Sequence, residues 1–203
     1  FNKPYPYAAI WGVCTNHDGQ FNNALNQRYR KTHHMIGVLP VGKVKGSDGE
    51  RVAFFWSLRA HEYQQWRERG LDAWRDHVIS LWPDIAPLVN QFQSIDDLNF
   101  ATYNDIRLHR CHGKRVVCIG DAAHATSPQL GQGANLALLD AMTLSQTLST
   151  ASSVPEALAA YAKHRKAHVR FYQMASGWLT PFFQSDSRLF PILRDLSFGL
   201  LCK

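Results

Sequence analysis

The chain has 203 residues, of which 45% are hydrophobic and 19% are charged, and its net charge is +6. This composition is ordinary for a globular protein and excludes a largely disordered chain. No apolar run approaches the roughly 18 residues that a membrane helix needs, so we expect no membrane span. The positive charge predicts a mild attraction for anions. No nucleic-acid recognition motif accompanies it, so nucleic-acid binding is not expected.

The four cysteines include no C-x-x-C pair, which gives no support for a zinc or redox motif. This cysteine usage suits a reducing compartment and predicts a cytoplasmic protein. The chain begins with Phe1, which is neither an initiator methionine nor the start of a signal peptide. We therefore expect these residues to be part of a longer protein.

The first 110 residues predict an antiparallel sheet with one long helix, which we interpret as a substrate-binding domain, 1–110. Period-two alternation predicts strands at 5–13, 35–41, 51–59 and 98–110. Pro40 marks the second of these as an edge strand. A turn rich in glycine and aspartate at 45–50 joins it to the third as a hairpin. Apolar residues at helical spacing predict a helix over 61–82, which Pro83 ends.

Three aromatic residues, Trp11, Phe54 and Trp56, lie on strands of this predicted sheet. We interpret their rings as one aromatic face, which is the best candidate for the wall of a substrate site. Rings in such positions also pack as ordinary sheet core, and the pattern is equally compatible with that alternative.

The second half of the chain changes character at 116–119, an unbroken apolar run. Such a run predicts a strand buried on both faces inside a parallel sheet. A strand of that kind needs neighbours joined by helical crossovers, and no other segment predicts one. We therefore expect an orphan strand whose sheet lies on another segment. A buried helix over 135–150, a helix from 153 to about 175 and short C-terminal helices follow.

The loop between the orphan strand and the next helix carries the strongest functional signal. The strand ends at Gly120, and the carboxylate of Asp121 can accept hydrogen bonds from sugar or polyol hydroxyls. A loop stiffened by a proline follows. Two glycines then expose backbone N–H groups at the start of a helix, where the macrodipole is positive. The loop therefore predicts an anion-binding turn.

This loop resembles the second flavin-binding motif of the FAD-dependent aromatic hydroxylases, which include para-hydroxybenzoate hydroxylase and the ubiquinone-biosynthesis hydroxylases. The matching residues are Gly-Asp-Ala-Ala-His from Gly120, Ser-Pro ending at Pro128, Gly-Gln-Gly-Ala-Asn from Gly131 and a later Asp-Ala pair. The combined motif spans more than twenty positions. Weaker similarity occurs at 39–42, at 55–58, and at Tyr161 with Arg165.

The resemblance implies a role for each part of the loop. The aspartate matching Asp121 would hold the ribityl or pyrophosphate region of FAD, and Pro128 would line the flavin where oxygen reacts. The backbone from Gly131 to Asn135 would face the pyrimidine edge of the ring, where the helix dipole stabilises the negative charge of reduced flavin. The implied cofactor-binding residues are Gly120, Asp121, Pro128, Gly131, Gln132, Gly133, Ala134 and Asn135.

The chain also departs from the family pattern. The G-x-G-x-x-G sequence with which the family opens, and which binds the ADP pyrophosphate, is absent. We therefore expect roughly 150 to 180 residues of nucleotide-binding sequence upstream. On this interpretation, 111–150 is the second half of the FAD-binding domain and 151–203 forms C-terminal helices.

The resemblance implies an enzyme that hydroxylates a small organic substrate, aromatic or similarly activated, with FAD, dioxygen and either NADH or NADPH. The motif identifies no catalytic acid or base. Two alternatives remain open: a flavin-dependent dehydrogenase or reductase of the same fold, and a non-catalytic fragment.

Histidines and basic residues outside the motif have simpler interpretations. His109, Cys111 and His112 predict a polar loop rather than a metal site, because no fourth ligand accompanies them. His124 is expected to bond within its own loop and not to act as a base. The basic run over 163–170 predicts a solvated helix face. We therefore expect no metal site.

Overall fold

The structure, a computed structural model, describes residues 1–43 and 49–201, and it confirms the predicted α+β fold. Within these residues the strands are β1 (Asn2–Thr15), β2 (Asn26–Arg30), β3 (His34–Lys43), β4 (Glu50–Arg59) and β5 (Asn99–Ile106). The helices are α1 (Tyr63–Leu81), α2 (Ala86–Val89), α3 (Asp121–His124), α4 (Gly133–Thr150), α5 (Val154–Phe183) and α6 (Phe190–Leu201). The predicted turn at 45–50 lies largely outside the described residues. No helix in the described part is both long and apolar enough to cross a membrane.

The chain forms two compact units. The sheet unit contains Pro6–Thr102 and the segment from Phe182 onwards, and the helical unit contains Phe1–Tyr5 and Tyr103–Pro181.

The five strands form one sheet in the order β2-β3-β4-β1-β5. The predicted hairpin of β3 and β4 is confirmed, and the two strands pair antiparallel from Ile36 with Trp56 onwards. The prediction of β3 as an edge strand is wrong, because β2 covers its other side. That pairing ends where Asn26 meets Val38. Pro40 lies beyond it, where its missing N–H leaves no bond to β2 unmade.

The core of the sheet unit lies between one face of the sheet and α1. The predicted helix is confirmed, and it buries Trp66, Trp74 and Val78. Trp74 meets Phe54 edge-on, with ring centroids 5.7 Å apart. Trp66 lies 6.5 Å from Trp56 on the same sheet face. Burial of each such side chain stabilises the fold by about 1.5–3 kcal/mol.

The helical unit differs from the sequence prediction at two places. Residues 116–119 form no regular ladder; a single antiparallel bridge joins His112 and Val117. Val116 is 69% exposed, so the predicted burial on both faces is wrong for this chain, since the described residues provide no neighbouring strand. Helix α4 is also less buried than predicted, because Leu138 and Met142 lie on its exposed side.

The packing of Phe55 against Gly37 generates a prediction about the sheet. A Cβ atom added at Gly37 would overlap the Phe55 ring directly. We predict that Gly37→Ala lowers the free energy of unfolding by about 1–3 kcal/mol, because the ring must leave its position. Urea unfolding measures this loss. The matched control is Gly113→Ala, whose Cβ would meet nothing closer than 3.9 Å, and an equal loss in both variants would contradict the prediction.

Candidate functional site

A glycine with positive φ turns the chain from the apolar run into α3. Gly120 has φ 56° and ψ −141°, a conformation that side-chain-bearing residues rarely adopt. A Cβ at this position would also lie 3.2 Å from the Cβ of Ala137 on α4. The turn therefore requires glycine for its backbone angles and for its close packing on α4.

The carboxylate of Asp140 on α4 binds three donors from other elements. Asp140 is fully buried. Its Oδ2 accepts a hydrogen bond from the backbone N–H of Gly120 at 2.8 Å and lies 2.6 Å from Nε2 of His124. Its Oδ1 accepts from Nε of Arg165 at 2.6 Å. Asp140 thus links the Gly120 turn, α3 and α5 through one charge.

These donors keep the Asp140 carboxylate ionised. Burial alone would raise the pKa of the Asp140 carboxyl, but the hydrogen bonds from its donors outweigh burial and lower that pKa below its ordinary value of 3.8. Burial and the Asp140 charge raise the pKa of the neighbouring Tyr161, so its hydroxyl stays protonated. Arg165 extends the network, because its Nη1 lies 2.7 Å from Nδ1 of His168.

Sequence analysis named Tyr161, Arg165 and His124 but gave Asp140 no role of its own. Asp140 is the aspartate of the Asp-Ala pair that ends the motif. A carboxylate in an otherwise apolar helix needs a buried cation or several donors. That requirement was the available signal, and Arg165 is the cation that meets it.

The start of α4 presents uncapped backbone amides. The helix begins at Gly133 after Gln132, and no side chain caps it. The Gln132 side chain accepts a hydrogen bond from the Asn135 side chain instead, at 3.2 Å. Helix geometry gives the N–H groups of Gly133, Ala134 and Asn135 no partners within the helix. These amides therefore remain available to a ligand at the positive end of the macrodipole.

The predicted cofactor residues come together around this helix start. Oδ1 of Asp121 lies 3.8 Å from the position that a Cβ at Gly133 would occupy. Gly131, with φ 61°, has open space where its Cβ would be. Exposed residues of the set are Asp121, Pro128, Gly131, Gly133, Ala134 and Asn135, while Gln132 is half-buried and Gly120 is buried.

A cluster of buried hydroxyls holds the residue before Pro128. Oγ of Ser127 lies 2.8 Å from Oγ of Ser176 and 2.5 Å from Oγ1 of Thr180, both on α5. The hydroxyl of Ser176 also donates to the carbonyl of Ser127 at 3.2 Å. The cluster fixes the loop to α5, and sequence analysis gave no signal for it because the partners lie about fifty residues apart.

The prediction that Trp11, Phe54 and Trp56 share one aromatic face is wrong. Trp11 pairs directly with Phe55 in the antiparallel ladder, whereas Phe54 pairs with Gly12. Directly paired residues point to the same side of a sheet. Trp11 therefore lies on the opposite face from Phe54 and Trp56, and it is 40% exposed whereas those two are buried in the core.

Histidine and cysteine side chains do not assemble into a metal centre in residues 1–43 and 49–201, where no group of three or more potential ligands occurs. His168, half of an i, i+4 pair with His164, is bound to Arg165.

A family model described as an FAD binding domain matches residues 19–175, which is most of the chain. The chain belongs to this FAD-binding family.

Curated relatives with recorded activities share parts of the chain. A hispidin-3-hydroxylase of Neonothopanus nambi is 46% identical over 102 residues, covering 48% of this chain and 24% of the relative. A 2-heptyl-3-hydroxy-4(1H)-quinolone synthase of Pseudomonas aeruginosa is 45% identical over 69 residues, covering 34% of this chain and 17% of the relative. Each alignment thus spans a quarter or less of the relative's length.

Solved structures of FAD-binding proteins share the fold of nearly the whole chain. PqsL of Pseudomonas aeruginosa, in complex with 2-aminobenzoylacetate, superposes with a TM-score of 0.75 at 18% identity, covering 95% of this chain and 52% of PqsL. HpxO of Klebsiella pneumoniae, in complex with FAD and uric acid, gives 0.73 at 19% identity, covering 95% and 48%. The chain therefore spans about half the length of these structures.

Removal of the Asp140 charge tests the network. We predict that Asp140→Asn lowers the free energy of unfolding by about 3–5 kcal/mol, because the buried guanidinium of Arg165 loses its counterion. Urea unfolding at neutral pH measures the loss. The control is Asp72→Asn, which breaks an exposed ion pair with Arg75 and should cost at most about 1 kcal/mol.

Acid should remove the same difference. Because folding lowers the pKa of the Asp140 carboxyl, its stabilisation is fully present above pH 3.8 and is lost as the pH falls through the folded-state pKa. The unfolding free energies of the parent chain and of Asp140→Asn should therefore converge below pH 3.8. A constant difference across that range would contradict the assignment.

Proposed function

We propose that this chain holds the isoalloxazine ring and ribityl chain of FAD in a flavin-dependent monooxygenase. The observation that carries the proposal is the start of α4, where uncapped amides at 133–135 lie beside the Asp121 carboxylate. The family match supports FAD as the ligand.

The local geometry fits a flavin ring with negative charge on its pyrimidine edge. Amides at the positive end of an α-helix stabilise an anion without reorganisation. Glycines at 131 and 133 keep side chains away from that surface, as close approach of a flat ring requires. Gln132, Ala134 and Asn135 would contribute their backbone to the same contact.

Two further residues would complete the ring and ribityl contacts. Asp121 is exposed and ends the turn that Gly120 sets, so its carboxylate can accept hydrogen bonds from ribityl hydroxyls. Pro128 is exposed on a loop that the hydroxyls of Ser127 and Thr180 fix to α5. A rigid proline beside the ring would restrict water where dioxygen reacts.

Bound FAD would supply the redox chemistry, accepting electrons from NADH or NADPH and passing them to dioxygen. The chain's own residues would hold the ring, stabilise its charge and exclude water. The names of the relatives, a hispidin-3-hydroxylase and a kynurenine 3-monooxygenase, support hydroxylation of a small aromatic substrate. The free thiols Cys14, Cys111 and Cys118 support a cytoplasmic setting.

The sheet face that carries Trp11 is the better candidate for substrate contact. Trp11, Phe55 and Gly37 share this face through direct pairing. Leu39 lies two residues beyond Gly37 on the same face and is exposed. An exposed apolar face with two aromatic rings suits an aromatic substrate. In this proposal, 1–110 binds substrate, 111–150 binds flavin and 151–203 supports them.

The exposed apolar surfaces of the helical unit support the need for a further nucleotide-binding segment. Val116, Leu138 and Met142 are each more than 60% exposed. Apolar surface of this kind usually contacts another segment or partner. A segment carrying the ADP-binding half would cover the 116–119 run as a neighbouring strand, and the chain alone would then be inactive.

Removal of one amide donor tests the flavin contact. We predict that Ala134→Pro weakens binding of reduced flavin by about 10- to 100-fold, because one hydrogen bond to an anion is lost. Proline is tolerated in the first turn of a helix, where its missing N–H leaves no intrahelical bond unmade. The reduction potential of bound FAD should fall, since the oxidised ring loses less.

The matched control is Ala134→Val, which adds similar bulk and keeps the N–H. If both variants shift the potential equally, bulk rather than the amide is responsible and the contact is refuted.

Turnover of the longest natural polypeptide that contains these residues tests the reaction class. We expect it to be yellow and to consume NADH or NADPH and dioxygen in the presence of an aromatic substrate. One atom from ¹⁸O-labelled dioxygen should appear in the product. Substrate oxidation or reduction without oxygen consumption would support a dehydrogenase or reductase and contradict the monooxygenase proposal.

A further inference from the structure

The basic run of α5 divides into two groups that face different surroundings. Arg165 turns inward to Asp140 and also meets His168. Lys163, Lys166 and Arg170 share one helix face at spacings of three and four residues. The expected uniform solvated face is therefore only part of the picture, since the second group lines a cavity.

The cavity has a volume of about 660 Å³, which suits a nucleotide-sized ligand. It lies in the helical unit between the segment 108–112, α3 and α5. Its cationic lining comprises Arg110, Lys163, Arg165, Lys166 and Arg170, with His109, His112 and His124 beside them. No carboxylate is among the residues that line it.

Most of these cations have no carboxylate partner in the described part of the chain. Arg165 is paired with Asp140, but Arg110, Lys163, Lys166 and Arg170 take part in none of the ion pairs there. Several like charges around one concavity raise each other's energy, and a multiply charged anion would relieve that repulsion.

The cavity also has an apolar part. Leu108 from the loop and Ala162 and Val169 from α5 contribute to its lining. Apolar walls with a few charged groups are typical of sites for small organic ligands. A ligand that combines phosphates with a flat base would use both parts.

We propose that this cavity binds the diphosphate of a nucleotide. The cations of α5 would hold the phosphates, and the apolar wall would receive the base. The site is separate from the loop 128–135, so it does not depend on the flavin proposal. The shared chemistry is an adenosine diphosphate group, which ADP, FAD and NADPH all carry.

Binding of ADP to the full chain, followed by isothermal titration calorimetry at low ionic strength, tests this proposal. We expect Lys163→Gln combined with Lys166→Gln to weaken ADP binding by at least about tenfold. The matched control is Lys114→Gln combined with Arg115→Gln, which removes the same charge from exposed positions of the same unit that do not line the cavity. Equal losses in both, or no ADP binding to the parent chain, would overturn the proposal.

Cysteine footprinting locates the bound ligand independently of charge. The thiol of Cys111 lines the cavity, whereas Cys118 does not. ADP should slow alkylation of Cys111 by iodoacetamide and leave the rate at Cys118 unchanged, as peptide mapping would show. An unprotected Cys111 at saturating ADP would overturn the assignment.

Two further ligands identify the source of the diphosphate. Tighter binding of NADPH than of ADP would indicate the reductant, and tighter binding of FAD would indicate the cofactor's own nucleotide half. FMN lacks a diphosphate, and binding of FMN that equals that of ADP in this footprint would overturn the proposal. Ala134→Pro should leave ADP binding unchanged, so failure here is distinguishable from failure of the flavin site.

Discussion

The buried carboxylate of Asp140 is the interaction on which the rest of the helical unit depends. It accepts a hydrogen bond from Gly120 and binds His124 and Arg165, all within 2.8 Å. A charge so placed is tolerated only because every donor is present, so each of these elements constrains the others. Through this one group the turn before Asp121 is held against α4.

That constraint explains how a loop can present amides to a ligand with precision. Ligand contacts made by backbone N–H groups require a rigid loop, because loop motion would cost binding entropy. Asp140 fixes one end of the loop, and the hydroxyls of Ser127 and Thr180 fix its middle to α5. The exposed glycines then form the one part without bulky side chains. Neutralisation inside the unit also leaves the outward cations of α5 free for a second anion.

Local sequence patterns predicted much of this structure, and long-range pairing set the limit. The β3–β4 hairpin, α1 and the residues of the flavin loop followed from periodicity and motif. The face of Trp11 did not, because alternation gives the parity of each strand but not its register against β4. The role of Asp140 required knowing that Arg165, twenty-five residues away, shares its interior. The burial expected for 116–119 failed because it depends on strands that the described residues do not contain.

The most direct test is a flavin-bound structure of the longest natural polypeptide that contains these residues. The account predicts that backbone nitrogens of Gly133 to Asn135 lie within about 3.2 Å of the pyrimidine edge of the ring, with the Asp140 network intact. A ring bound elsewhere, or a start of α4 that contacts protein rather than flavin, would contradict it.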